Sequence, residues 1–339
     1  MIDALDRRII HALIRDGRQP FRRVATALGC SEQTVARRYR RLREAGVVRV
    51  IVIRDPRRAL ENGFLRIRTK PGAARAIATA LARRDDVSWL TLEAGGAELT
   101  CSLRADDPRD RDALVIERLP QVGHVTDVTF ASLLHIFAAS GGRRPPFGDT
   151  LDAAEEAALG PARARPGGFA GIAGETLLEP GDEPLLRLLA RDGRSSYAAL
   201  AAATGRSEAA VGRRVELLLE RGALFVSTEV AKAPLGLRTL ATLWLTVAPA
   251  DLVAVGEELA RHVEVEFVGA ISGAANLVVS LACRDNAGLY RYLTGPLAAV
   301  TGVDRCEVVV AGARLKQAGT VMDGDRLPNP LAEEPASGA

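Results

Sequence analysis

The sequence predicts an α+β fold: two winged helix-turn-helix domains, each followed by a ferredoxin-like βαββαβ domain. Three observations predict it. First, Arg15-Asp16-Gly17-Arg18 returns as Arg191-Asp192-Gly193-Arg194, 176 positions further on. The same offset carries Asp6 to Asp182, Gly29 to Gly205, Ser31-Glu32 to Ser207-Glu208, Arg37-Arg38 to Arg213-Arg214 and Gly46 to Gly222. A register held over so many positions marks one unit written twice. Second, the hydrophobic spacing inside that unit is helical three times and then turns β-branched. Third, strand and helix signals after each unit follow the order β-α-β-β-α-β.

The elements follow in order. Leu5, Ile9, Ile10, Leu13 and Ile14 recur at helical spacing behind Asp3, a capping residue, and Gly17 ends the segment. Phe21 to Leu28 forms a second short helix. Gly29-Cys30 turns the chain, and Ser31 caps a third helix running to about Ala45, with Gly46 as its stop. Val47 to Ile53 reads as a strand, which completes a winged helix-turn-helix over 1–54. Strands at Phe64–Thr69, Val87–Glu93, Glu98–Arg104 and Val125–Phe137 alternate with helices at Ala73–Arg83 and Arg109–Arg118, a ferredoxin-like unit over 60–138. A linker rich in Gly and Pro follows over 139–179, with one short helix at Leu151–Leu159. The second helix-turn-helix, 180–230, and the second ferredoxin-like unit, 236–317, repeat the pattern. A disordered tail is expected over 323–339.

Composition narrows the classes. The 339 residues are 47% hydrophobic, enough for several cores, and the formal net charge is only +3. Charge is unevenly placed, however. Residues 1–60 hold 15 Arg against 6 acids, whereas 177–236 holds 8 basic and 8 acidic residues. Cys30, Cys101, Cys283 and Cys306 lack CxxC or Cys/His ligand spacing, so neither a metal nor another cofactor is expected. The apolar stretch at 240–255 is broken by Pro249 and Asp251, too short to span a bilayer. A cytoplasmic protein without membrane association is the expectation.

The order of motifs resembles the Lrp/AsnC (feast/famine) family of transcription regulators. Leu5-Asp6-Arg7-Arg8-Ile9-Ile10 through Arg15-Asp16-Gly17-Arg18 resembles that family's opening. Leu28-Gly29-Cys30-Ser31 and Val35 to Val48 resemble its recognition helix and wing entry. The resemblance implies a DNA-binding regulator whose ferredoxin-like (RAM) domains take a small effector such as an amino acid and assemble into oligomers. Family members usually carry one copy and dimerise, so the tandem form implies a pseudo-dimer within one chain. Fused sirohaem decarboxylases share the architecture, but that subgroup's Arg-His pair after the wing has no counterpart. Ile53 to Ala59 and Val230 to Pro234 contain no histidine. A ligand sensor that does not bind DNA is the other alternative.

The residues point the same way. Val35, Tyr39 and Leu42 face the first two helices, which leaves Gln33, Thr34, Arg37, Arg38 and Arg41 outward, suited to a major groove where arginine reads guanine. Ser31 and Thr34 lie where free backbone N–H groups meet phosphate, and Arg22, Arg23, Arg49 and Arg54 would add backbone contacts. The bland reading is a solvated basic face. In copy two, Arg213 and Arg214 remain, but Ala209 and Ala210 replace Gln33 and Thr34, so only weak contact is expected there. The hairpin with Gly95, Gly96 and Glu98 is the candidate effector site, glycine backbone for a carboxylate and Glu98 for an ammonium. Gly273 and Asn276 are its counterparts in copy two, without a carboxylate. An ordinary tight turn is the alternative. The four histidines read as structural and Trp89 and Trp244 as core residues.

Overall fold

The computed structural model describes residues 2–55, 59, 61–105, 107–138, 145–163, 168–169 and 177–328. Helix α1 (Ala4–Arg15) starts at Asp3, whose side chain accepts the Asp6 N–H while Asp6 accepts that of Asp3. Helix α2 (Phe21–Leu28) closes at Gly29, left-handed at φ 65°, and α3 (Glu32–Glu44) opens on Ser31 as its cap. Ile9, Ile10, Leu13, Val24, Val35, Tyr39 and Leu42 meet in the core between them. In copy two α7 (Glu183–Arg191), α8 (Tyr197–Thr204) and α9 (Glu208–Glu220) repeat the arrangement, with Ser207 as cap and Gly205 as left-handed turn.

The strand after each third helix finds its partner in the other copy. Strand β1 (Val48–Arg54) pairs antiparallel with β7 (Leu224–Val230), and Ile51 lies opposite Ser227, its own equivalent at the offset of 176. A pseudo-two-fold axis therefore passes through the ribbon. The Asp-Gly-Arg motifs interlock around it. Arg18 donates to the Gly193 carbonyl at 2.6 Å, and Arg194 donates to the Gly17 carbonyl at 2.5 Å. Their guanidinium groups lie over Tyr197 and Phe21 respectively, 5.3 and 4.0 Å from the ring centres. Gly193 is required by close approach, since a Cβ there would sit 2.7 Å from the Ile51 carbonyl carbon.

The ferredoxin-like units form one closed ring. Copy one supplies β2 (Glu61–Thr69), α4 (Ala74–Ala82), β3 (Val87–Glu93), β4 (Glu98–Ala105), α5 (Pro108–Asp112) and β5 (Val125–Ala138). After α5 the expected longer helix widens into a π turn over Ala113–Arg118. The linker contributes α6 (Ala153–Leu159) and β6 (Gly168–Phe169). Copy two supplies β8 (Thr239–Val247), α10 (Leu252–Leu259), β9 (Val265–Ile271), β10 (Leu277–Cys283), α11 (Asn286–Tyr292) and β11 (Val303–Gln317), before a short β12 (Thr320–Val321). Strand β5 pairs with β2 up to Ser132, then crosses to β9 from Leu133. Strand β11 pairs with β8 up to Val310, then crosses to β3 from Ala311. Neither sheet thus keeps a free edge at either seam. Helices cover the outer faces over Leu65, Leu90 and Leu99 in one copy and over Leu243, Val268 and Leu277 in the other. The inner faces meet at Leu133, Trp244, Ile271 and Val278.

Within 139–179, where the sequence predicts one short helix, α6 docks on the first helix-turn-helix: Arg15 pairs with Glu156 at 2.9 Å and Gln19 donates to the Leu159 carbonyl at 2.8 Å. Leu151 and Leu159 are the apolar anchors that make docking favourable. The tail is ordered as far as it is described, through Pro328. Leu327, 2% exposed, donates its N–H to the Gly46 carbonyl at 2.9 Å. Residues 139–144, 164–167, 170–176 and 329–339 lie outside the described residues.

Candidate nucleic-acid interface and the cavity between the copies

Helix α3 stands on the surface, its apolar side held by Val35, Tyr39 and Leu42 and its other side exposed. Gln33, Arg37, Arg40 and Arg41 lie on that exposed side, with Arg22 and Arg23 of α2 exposed beside them. Among the described residues, Arg22, Arg23, Arg37 and Arg40 form no ion pair, unlike Arg38 and Arg41 on the same helix. Ser31 accepts the Thr34 N–H at 3.1 Å and shares a hydroxyl contact with Thr34 at 2.9 Å. Both hydroxyls thus fix the helix start, and both residues remain at the exposed end of α3.

Arg38 behaves differently from the expected groove contact. It reaches back to Asp3 at 2.6 Å and to Asp6 at 2.9 Å, and Asp6 is fully buried. The Arg38 hydrogen bond holds the Asp3 carboxyl below its ordinary value, and the same bond raises the Arg38 guanidinium. Arg41 also contacts Asp6, but its side chain is 54% exposed and keeps donors free. Arg38 is therefore a structural pin between α1 and α3. Copy two keeps the pin: Arg214 donates to Asp182 at 2.6 Å and to the Leu177 carbonyl at 2.7 Å. Burial alone would raise Asp182, but the hydrogen bond from Arg214 outweighs it and the carboxyl sits low. Arg213 remains exposed.

Two further basic residues move off the expected backbone contacts. Arg49 is buried and donates to the Ala190 and Arg191 carbonyls at 3.2 and 3.0 Å. Arg54 pairs with Glu183 at 3.0 Å. Arg40, which the sequence reading left out of the interface, is exposed beside Arg37. Its place at three residues from Arg37 was the available signal.

The hairpin expected to take an effector keeps an open backbone but lacks free side chains. Gly95 and Gly96 have positive φ, 65° and 92°, and nothing within 4 Å of where a Cβ would stand. Glu98, however, is buried and receives Arg66 at 2.6 Å and Arg68 at 3.2 Å, so it offers no lone carboxylate to an ammonium. Asn276 bonds both the Val247 N–H and carbonyl, at 2.9 and 2.7 Å, closing its own hairpin beside Gly273. A cavity of about 1490 Å³ opens instead between the copies, walled by the β1–β7 ribbon, α7 and both sheets. Trp89, Glu93, Phe267 and Arg314 line it, Arg314 lying 5.2 Å from the centre of the Trp89 ring. Trp89 thus faces a cavity, whereas Trp244 is buried in the barrel. Glu93 is 0% exposed, its carboxylate accepts the Thr100 and Thr242 hydroxyls at 2.6 and 3.1 Å, and burial raises its carboxyl. His11 accepts the Leu151 N–H at 3.1 Å, and His262 contacts the Tyr292 hydroxyl at 3.0 Å. Among the described residues, no cluster of three metal-ligating side chains occurs and no helix is long and apolar enough to cross a membrane.

Comparison with known proteins fits this geometry. A model of the AsnC-type helix-turn-helix domain matches residues 2–43 and again 181–219, and a model of the Lrp/AsnC ligand binding domain matches 240–321. The transcriptional regulator LrpA of Pyrococcus horikoshii is 29% identical over 137 residues, 40% of this chain and 97% of the relative. The regulator FL11 of Pyrococcus abyssi is 28% identical over 126 residues, 36% of this chain and 83% of its own. Such relatives span one copy. A solved structure of the siroheme decarboxylase NirDL spans both, covering 93% of each chain at 14% identity with a TM-score of 0.59, a likeness of fold.

Proposed function

The chain belongs to the Lrp/AsnC family of transcription regulators, and on that premise we propose that it binds double-stranded DNA through α3 and is tuned by a small molecule. The observation that carries this reading is the row Gln33, Arg37, Arg40 and Arg41, exposed on a helix seated in a helix-turn-helix, with Arg22 and Arg23 beside it. A helix of that width enters the major groove, where an arginine fork matches the guanine edge and Gln33 matches adenine. Ser31 and Thr34, at the helix start, sit where a phosphate meets backbone N–H groups.

The effector is a small molecule, such as an amino acid, acting through the ferredoxin-like domains. Gly95, Gly96 and Gly273 offer backbone only, since Glu98 and Asn276 are engaged within the fold. The cavity between the copies is therefore the favoured seat. Further self-association is part of the proposal, with Val308 and Val310 exposed on β11 as its apolar contact. A cytoplasmic location and a non-enzymatic role follow from the same reading.

A mobility shift over the chain's own upstream region tests it. Binding should weaken steeply with salt, with a log–log slope of about −0.9 for each phosphate neutralised. Replacing Arg37 and Arg40 by alanine should weaken the shift about tenfold or more while the chain stays folded. Incubation with sirohaem should release no carbon dioxide; release would sink the non-enzymatic reading.

A further inference from the structure

We propose that the DNA site taken by each chain is asymmetric: α3 reads one block of bases, and the second helix-turn-helix positions the first without reading sequence. The inference rests on the DNA-binding reading and narrows it to a class of operator. Its basis is the fate of each residue across the pseudo-two-fold axis.

Positions that hold the fold together are kept. Arg38 on Asp6 becomes Arg214 on Asp182, Arg18 on the Gly193 carbonyl becomes Arg194 on that of Gly17, and the Ser31 cap becomes Ser207. The outward positions at the same offset are erased. Arg22 and Arg23 become Ala198 and Ala199, Gln33 and Thr34 become Ala209 and Ala210, and Arg40 and Arg41 become Glu216 and Leu217. Ala198, Ala199 and Ala209 are exposed, and Leu217 is 40% exposed, so burial does not explain the exchange. Drift in composition would not spare the pins and caps while removing five of these six groove-facing polar groups, Arg37 set aside. Of the basic residues on that face, only Arg37 keeps its counterpart, Arg213; the acidic ends Glu32 and Glu44 recur as Glu208 and Glu220.

The chemistry of the second face opposes reading. Alanine has no group that reaches a base edge, and Leu217 offers none of the donors that Arg41 holds. Glu216 puts a carboxylate where α3 carries Arg40, its Oε1 accepting the Tyr197 hydroxyl at 2.9 Å, on a face that would meet a duplex carrying one negative charge per ~1.7 Å. Arg213 alone can neutralise a single phosphate. A symmetric dimer reads an inverted repeat because its two helices are alike. Here two halves of similar shape present unlike surfaces, so the site each chain takes lacks a two-fold.

The test is selection from random duplexes by the full chain, followed by native mass spectrometry to count chains on the enriched sequence. One unrepeated block per bound chain is expected. Arg37→Ala with Arg40→Ala should lower affinity about tenfold or more, while Arg213→Ala should lower it less than about threefold and leave the motif unchanged. A gain variant, Ala209→Gln with Glu216→Arg and Leu217→Arg, should lengthen the motif by a second block. An inverted repeat occupied by a single wild-type chain, or an Arg213→Ala loss matching that of the copy-one variant, overturns the asymmetry while leaving DNA binding intact. Failure to bind any duplex overturns DNA binding and the asymmetry together.

Discussion

Replacing Arg38 by alanine separates the fold from the interface. Asp6 is fully buried, and Arg38 supplies one of its two cations. Stranding a buried carboxylate by removing its partner costs about 3–5 kcal/mol when nothing replaces it. Asp6 keeps Arg41 and its capping bond from the Asp3 N–H at 3.1 Å, so the expected cost falls below that range, to about 2–3 kcal/mol. Arg37→Ala, on the exposed side of the same helix, should stay within about 0.5 kcal/mol of wild type. Urea unfolding of the full chain, followed by circular dichroism, reads the difference as a shift in midpoint for one variant and none for the other. Arg38→Met with Asp6→Asn should recover most of the loss, because charge and partner leave together. Duplex affinity per folded molecule should fall for Arg37→Ala and hold for Arg38→Ala. Equal stability of the two single variants would refute the pinning role, and so would a larger affinity loss at Arg38.

Three further outcomes are expected. Gly193→Ala should destabilise by roughly 1–3 kcal/mol, because its Cβ meets Ile51 backbone that cannot rotate away; an unshifted melting temperature would contradict this. Glu93 is raised by burial, so its contribution is fully present below the ordinary carboxyl value of 4.5 and is lost as pH climbs through the higher folded value. Glu93→Gln should therefore flatten that loss in melts run from pH 4 to pH 8, and an unchanged slope would place the dependence elsewhere. Ending the chain before Thr320 removes Leu327 from Gly46 and the Thr320 hydroxyl from Arg49, and hydrogen exchange should rise at the end of α3 and in β1. Protection unchanged there would show that the C-terminal hairpin does not brace the first helix-turn-helix.

The order of elements was legible because it rests on local signals. Ser31 capping α3, Gly29 and Gly46 in left-handed turns, and β-branched residues after each third helix are all decided within a few residues. Partners across the axis were not legible. Nothing in Val48–Arg54 says that its mate is Leu224–Val230, since strand pairing depends on where distant segments fold. Arg38 was misread for a related reason: helix spacing turned it outward, but its long side chain folds back to Asp6. A clue was present in the repeat itself. Asp6 with Arg38 and Asp182 with Arg214 survive together, whereas Gln33 and Arg41 do not. Glu98 and Asn276 were misjudged because the cations and carbonyls that engage them come from other strands.

Strands β5 and β11 each begin in one half and finish in the other, so the ring cannot be assembled from halves that keep their own strands apart. Covalent fusion makes that exchange independent of concentration: no dissociation constant governs whether the two halves meet. It also lifts a constraint that every homodimer bears, in which a substitution is imposed on both subunits at once. One half can thus lose its arginines while its neighbour keeps them, and a single gene can hold two specialised surfaces on one closed ring of strands.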